Sequence, residues 1–131
     1  MSKPVLAVKL STTAGEKTTV PAVFDTGSFY TLIRQDCLPP RAVLQSFRQA
    51  PKLRAATRGS RVAVAGSTDM IITIGGKKIL ANVLVSSNLA REMIIGAGTM
   101  QMWDISIKNR NGKTRVIVGR DMHDPEITEV D

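Results

Sequence analysis

The hydrophobic rhythm of the chain limits its folds more than any other feature. Short apolar stretches alternate with polar residues and stop at turn-forming ones, as strands do and long helices do not. Val5-Leu6-Ala7-Val8-Lys9-Leu10 is a first strand, 13–17 a turn, and 19–24 the returning strand. Ile71 to Ile74, then Gly75-Gly76-Lys77, then Lys78 to Val85 is a hairpin, since paired glycines supply the positive φ that tight hairpin turns need. A second hairpin spans Asp104 to Ile107 and Thr114 to Val118 around Asn111-Gly112, the strongest short turn signal. Helix is scarce. One or two turns fit Thr31 to Leu38 before Pro39-Pro40 stops them, Arg41 to Gln49 has helical spacing, and Thr99 to Trp103 suits a short helix after Gly98.

An all-β single domain follows. The chain has 131 residues, 43% hydrophobic and 22% charged, which is a globular composition, and this length buries about two thirds of the unfolded surface. The single Cys37 excludes an internal disulfide and suits a reducing compartment. The N-terminus lacks the apolar core of a signal peptide, and no apolar run approaches a membrane span. A cytoplasmic protein that does not engage membranes is the expectation.

Charge is uneven. The net value is +7, but residues 34–61 hold seven basic side chains against Asp36, and the last eleven residues hold five acidic ones and no Lys or Arg. The chain therefore divides into a domain over residues 1–120 and an acidic tail over residues 121–131. The tail has little to bury and is expected to be loosely held; it is a candidate to fold back on the basic segment. A field of this sign favours polyanions or acidic partners. The charge leaves nucleic acid open as a partner. Five aromatic residues (Phe24, Phe29, Tyr30, Phe47, Trp103) are too few for an obvious stacking platform, which argues against it.

One stretch carries chemistry. In Val23-Phe24-Asp25-Thr26-Gly27-Ser28 an apolar strand runs into an acid, a hydroxyl residue and a glycine, so the carboxylate stands at the end of a buried strand. Downstream, Met93-Ile94-Ile95-Gly96 is a second apolar strand ending in glycine. This pairing resembles the retropepsin family of aspartic proteases, in which an acid-Thr-Gly turn is followed by a hydrophobic-hydrophobic-Gly strand. The likeness extends from the hairpin of residues 5–24 through the strands at 72–79, 82–85 and 94–96, roughly residues 4–107.

The resemblance implies a retropepsin-like closed β-barrel with one or two short helices, acting as a homodimer. Hydrolysis by this route needs one carboxylate to take a proton from water and another to give one to the carbonyl oxygen. Two carboxylates about 3 Å apart cannot both ionise, so the pair shares a proton. Only one such motif occurs, so the second Asp25 must come from a second copy across a twofold axis. By resemblance Asp25 is catalytic, Thr26 locks its counterpart across that axis, and Gly27 turns the backbone and brings an N–H to the carboxylate. Ser28 is expected to hydrogen-bond Asp25. Phe29 and Tyr30 shape a substrate pocket, Ile94, Ile95 and Gly96 support the site from the second strand, and the covering flap has its tip at Arg58, Gly59, Ser60 and Arg61. Ala97-Gly98 departs from the family, which often has a polar bracing residue there.

The implied activity is an aspartic endopeptidase acting on peptide or protein substrates. The alternative is a catalytically silent retropepsin-fold dimerisation or binding module whose basic loop holds an acidic partner or nucleic acid. No cofactor and no metal is expected: His123 and Cys37 are the only residues of their kinds, too few for a ligand set. Trp103 is expected to pack under the sheet or in the interface.

Overall fold

The computed structural model describes residues 3–49, 53–54 and 61–123. Its first strands, β1 (Val5–Ser11) and β2 (Lys17–Asp25), form an antiparallel hairpin. Alternation sends Val8 and Leu10 inward while Lys9 stays exposed, as a two-residue side-chain period requires. Next come β3 (Leu32–Arg34) and a single 3₁₀ turn at Gln35–Cys37. Two short strands follow, β4 (Gln45–Ser46) and β5 (Leu53–Arg54), then β6 (Arg61–Val62). The long hairpin is β7 (Val64–Ile74) with β8 (Lys77–Ser86). Gly75 and Gly76 both have positive φ between them, the backbone of a type I′ turn. The chain continues through β9 (Met93–Gly96), the helix α1 (Ala97–Met102) and a last hairpin, β10 (Ile105–Arg110) with β11 (Lys113–Val118).

Six strands close on themselves in the order β1-β2-β9-β3-β8-β7, because β7 also pairs with β1 through Lys9↔Thr73 to Ser11↔Ile71. Closure leaves no free edge around this ring. β4 adds to the outer side of β7 opposite Gly66 and Ser67. A Cβ on Gly66 would lie 2.3 Å from the Gln45 carbonyl oxygen, so only glycine lets β4 come so near. The interior is filled by Val8, Leu10, Phe24, Ile33, Met70, Ile72, Ile79, Val83, Val85 and Ile95. Each such side chain contributes about 1.5–3 kcal/mol by leaving water. A smaller cluster joins Leu32, Leu84 and Leu89.

The helix expected over 41–49 is absent. Arg41 takes φ 63° immediately after the two prolines, and Val43 is 73% exposed. Only Leu44 packs against the core, and one apolar contact does not make a helical stripe. Within 31–38 the first half is strand, Leu32–Arg34, and one of the expected one or two turns forms, the 3₁₀ turn at Gln35–Cys37. At 99–103 the expectation holds, with α1 beginning two residues earlier. Among the described residues no helix is long and apolar enough to cross a membrane.

Candidate active site

The sheet topology places the candidate acid. β2 and β9 run parallel with Asp25 level with Gly96, and β3 pairs antiparallel with the other side of β9. The chain leaving β2 must therefore pass over the end of β9 to reach β3. Residues 26–31 make that crossing. Ala97 N–H donates to the Ser28 carbonyl at 2.6 Å, and Gly98 N–H to the Phe29 carbonyl at 2.9 Å. A Cβ on Gly96 would lie 2.3 Å from the Tyr30 carbonyl oxygen and 2.6 Å from that of Phe29. The glycine that ends β9 thus exists because backbone crosses directly over it.

Asp25 sits in this junction with its side chain 14% exposed. Gly27 N–H donates to Oδ1 at 2.9 Å, and Ser28 N–H to the Asp25 carbonyl at 3.2 Å. A Cβ on Gly27 would come within 3.1 Å of Oδ1. The glycine and backbone parts of the expectation hold. The Ser28 part needs correcting: its hydroxyl donates to the Tyr30 carbonyl at 2.9 Å, because the crossing loop curls that acceptor over it.

Three features escaped the sequence reading. Lys3 Nζ lies 3.0 Å from Asp25 Oδ2, brought there as Phe24 N–H bonds the Pro4 carbonyl. Thr31, buried behind the loop, shares a hydroxyl hydrogen bond with Thr99 at 2.5 Å and accepts the Gly96 N–H at 3.1 Å. With Thr99 on the first turn of α1 it braces the crossing from below, where Ala97-Gly98 offers no polar side chain. Asn88 clamps the β5–β6 ribbon: its Oδ1 accepts Ala63 N–H at 2.8 Å and its Nδ2 donates to the Arg61 carbonyl at 3.1 Å. None of the three has a local signal, since the Thr31–Thr99 contact spans 68 residues.

Phe29 is 64% exposed and Tyr30 is also exposed; their rings meet edge to face at 5.3 Å. Gly98 lies against the Phe29 ring, where a Cβ would stand 3.0 Å from Cζ. Ile95 is buried and Ile94 half-buried. Arg61 lies in β6, which pairs with β5 through Arg54↔Arg61 and Leu53↔Val62. The remaining flap candidates, Arg58, Gly59 and Ser60, lie outside the described residues. An open groove of about 540 Å³ runs beside the turn, walled by Thr26, Ala97, Met100, Gln101 and residues 104–107.

Trp103 packs half-buried against the main core, as expected, with its indole N–H unpartnered. The first tail residue is fixed rather than loose: Asp121 accepts the N–H groups of Lys78 and His123, each at 2.8 Å. That contact is on the β7–β8 turn and not on the basic segment; residues 124–131 lie outside the described ones. No group of three His, Cys, Asp or Glu side chains suited to a metal occurs among the described residues.

No protein-family model matches the chain, and no curated protein sequence matches it. Solved structures do. The EIAV protease in complex with the inhibitor HBY-793 superposes with a TM-score of 0.58 at 20% identity, over 77% of this chain and 88% of that one. The closed barrel and the crossing of 26–31 over β9 therefore belong to a retropepsin-like fold.

Proposed function

We propose that this chain is one subunit of a homodimeric aspartic endopeptidase. The observation that carries the proposal is the Asp25 carboxylate at the end of β2, shielded, held by the Gly27 N–H and level with Gly96. In the dimer a second Asp25 faces the first, and Thr26 of each copy meets the other across the axis. The groove beside Thr26 is the surface against which the second copy seats.

With one proton shared between them, the ionised carboxyl removes a proton from a water molecule. The other gives its proton to the scissile carbonyl oxygen as the new C–O bond forms. Collapse of the tetrahedral intermediate breaks the C–N bond and returns a proton to the leaving amine. The Lys3 contact belongs to the single chain, and the second carboxyl replaces it. Phe29, Tyr30 and the β5–β6 ribbon flank the substrate.

The test compares the protein with Asp25→Asn on a peptide library between pH 3 and 8. Cleavage by the unmodified chain with an acidic optimum, block by pepstatin-like inhibitors and loss in the variant are expected. No cleavage by either protein and no inhibitor binding would sink the reading, and a maximum near pH 8 would remove the shared-proton mechanism.

A further inference from the structure

The last hairpin carries a feature the peptidase does not use. In β10–β11, Lys108 stands opposite Arg115 and Arg110 opposite Lys113. Alternation puts all four on one face, with Ser106 and Ile117 nearer the body. All four cations are exposed, and among the described residues none forms an ion pair. Neighbouring strands are about 4.8 Å apart and alternate residues about 6.8 Å, so the four residues are rooted in a patch about 8 Å across. Like charges directly opposite destabilise a strand pair. This hairpin holds two such pairs in succession.

The ribbon is nonetheless well fixed. Ile105 and Val118 anchor its base in the core. Asn111 and Gly112 at φ 53° and 74° make its turn, and Thr114 Oγ1 donates to Asn109 Oδ1 at 2.6 Å on the opposite face. A preformed element loses little entropy on binding. Protein interfaces deplete lysine and centre on aromatic or aliphatic anchors, whereas this face has two lysines, two arginines and only Ile117. No aromatic residue is present, so single-strand stacking has no platform. A two-stranded ribbon is one of the two elements that fit the major groove of B-DNA, while the A-form RNA groove is too deep and narrow.

We infer that the β10–β11 ribbon binds duplex DNA, its four cations on the phosphates of the major groove. The Thr26 groove takes in Ser106 on this face and stops short of Lys108, so the inference rests on the proposed dimer seating along 104–107 and leaving the four cations uncovered.

The test titrates the full chain with a mixed-sequence 20-base-pair DNA duplex by fluorescence anisotropy from 50 to 200 mM NaCl. Four phosphate contacts give a log–log salt slope of about −3.6, or roughly a hundredfold loss across that range. Lys108→Ala with Arg115→Ala should weaken binding at least tenfold and reduce the slope by about two; Lys17→Ala, on β2, should change neither. Lys108→Glu faces Arg115 with an acid, so it should raise the unfolding midpoint by about 1–3 °C while weakening DNA binding. Unchanged binding in the double variant overturns the inference. So does equal or tighter binding of oligo(dT), of an RNA duplex or of poly-glutamate.

Discussion

Gly96 is set by the loop above it rather than by any need for unusual dihedral angles. A methyl group there meets two carbonyl oxygens of the crossing loop, and neither can move without pulling the loop from β9. Gly96→Ala should therefore destabilise by about 2–3 kcal/mol, outweighing the roughly 0.4–1 kcal/mol that alanine gains by restricting the unfolded chain. Urea unfolding measures it, and a loss under about 0.5 kcal/mol would refute the close approach. Lys3 gives the opposite case. Its pairing with Asp25 is half exposed on the lysine side, so Lys3→Ala should cost less than about 1 kcal/mol. Because the proposed mechanism replaces that contact, cleavage by the variant should persist; its disappearance would make Lys3 part of the machinery. At this scale the Asp25-Thr26-Gly27 turn was legible because strand-acid-hydroxyl-glycine is a contiguous pattern, and Gly96 because it ends a second apolar strand. Thr31, Thr99 and Lys3 were not, since each acts through a partner brought close only by the closed barrel.

Elements show a similar division. The hairpins turned by Gly75-Gly76 and Asn111-Gly112 were readable, since those pairs write the turn geometry into residue type. The 41–49 segment was misread because helical spacing says nothing about whether a partner exists for the apolar face. The 3₁₀ turn bears on Cys37. Burial pushes its thiol up, as does the bond it donates to Asp36, while the bond from the Arg34 guanidinium holds Asp36 below the usual carboxylate range. The thiolate is the nucleophile, so Cys37 should alkylate with iodoacetamide at pH 8 several-fold more slowly than a small free thiol. A faster rate would contradict this environment. At the other end, the Lys78 and His123 N–H groups hold the Asp121 carboxyl below its ordinary value. A lowered folded value means the clip contributes above the ordinary carboxylate pKa of about 4 and is lost as pH falls through the folded value. The Lys78 amide resonance should follow that transition, and Asp121→Asn should abolish it; a transition that persists would place the titrating group elsewhere.

For the molecule as a whole, closure explains the fold. Ring formation leaves β1, β2, β9, β3, β8 and β7 without open edges. Alternation marks β1 and much of β7 and β8, whereas β9 reads as a continuous apolar run and β3 falls in a segment that reads as helix. Which strands neighbour each other was not legible, because β2–β9 and β3–β8 are parallel pairings between distant segments and periodicity carries no pairing information. One chain also holds one copy of the acid motif, and the groove beside Thr26 is open. If two copies form the working site, activity belongs to the dimer and not to the subunit. Mixing equal amounts of the unmodified chain and Asp25→Asn, then allowing subunits to exchange, gives random pairing across an isologous interface. Only about a quarter of the dimers then contain two aspartates, so cleavage should fall to about half of that given by the same amount of unmodified chain alone. At fixed total unmodified chain, activity should keep falling as variant is added. An activity that ignores added Asp25→Asn, with subunit exchange verified by mass spectrometry, would mean that a single chain is sufficient and the twofold mechanism is wrong.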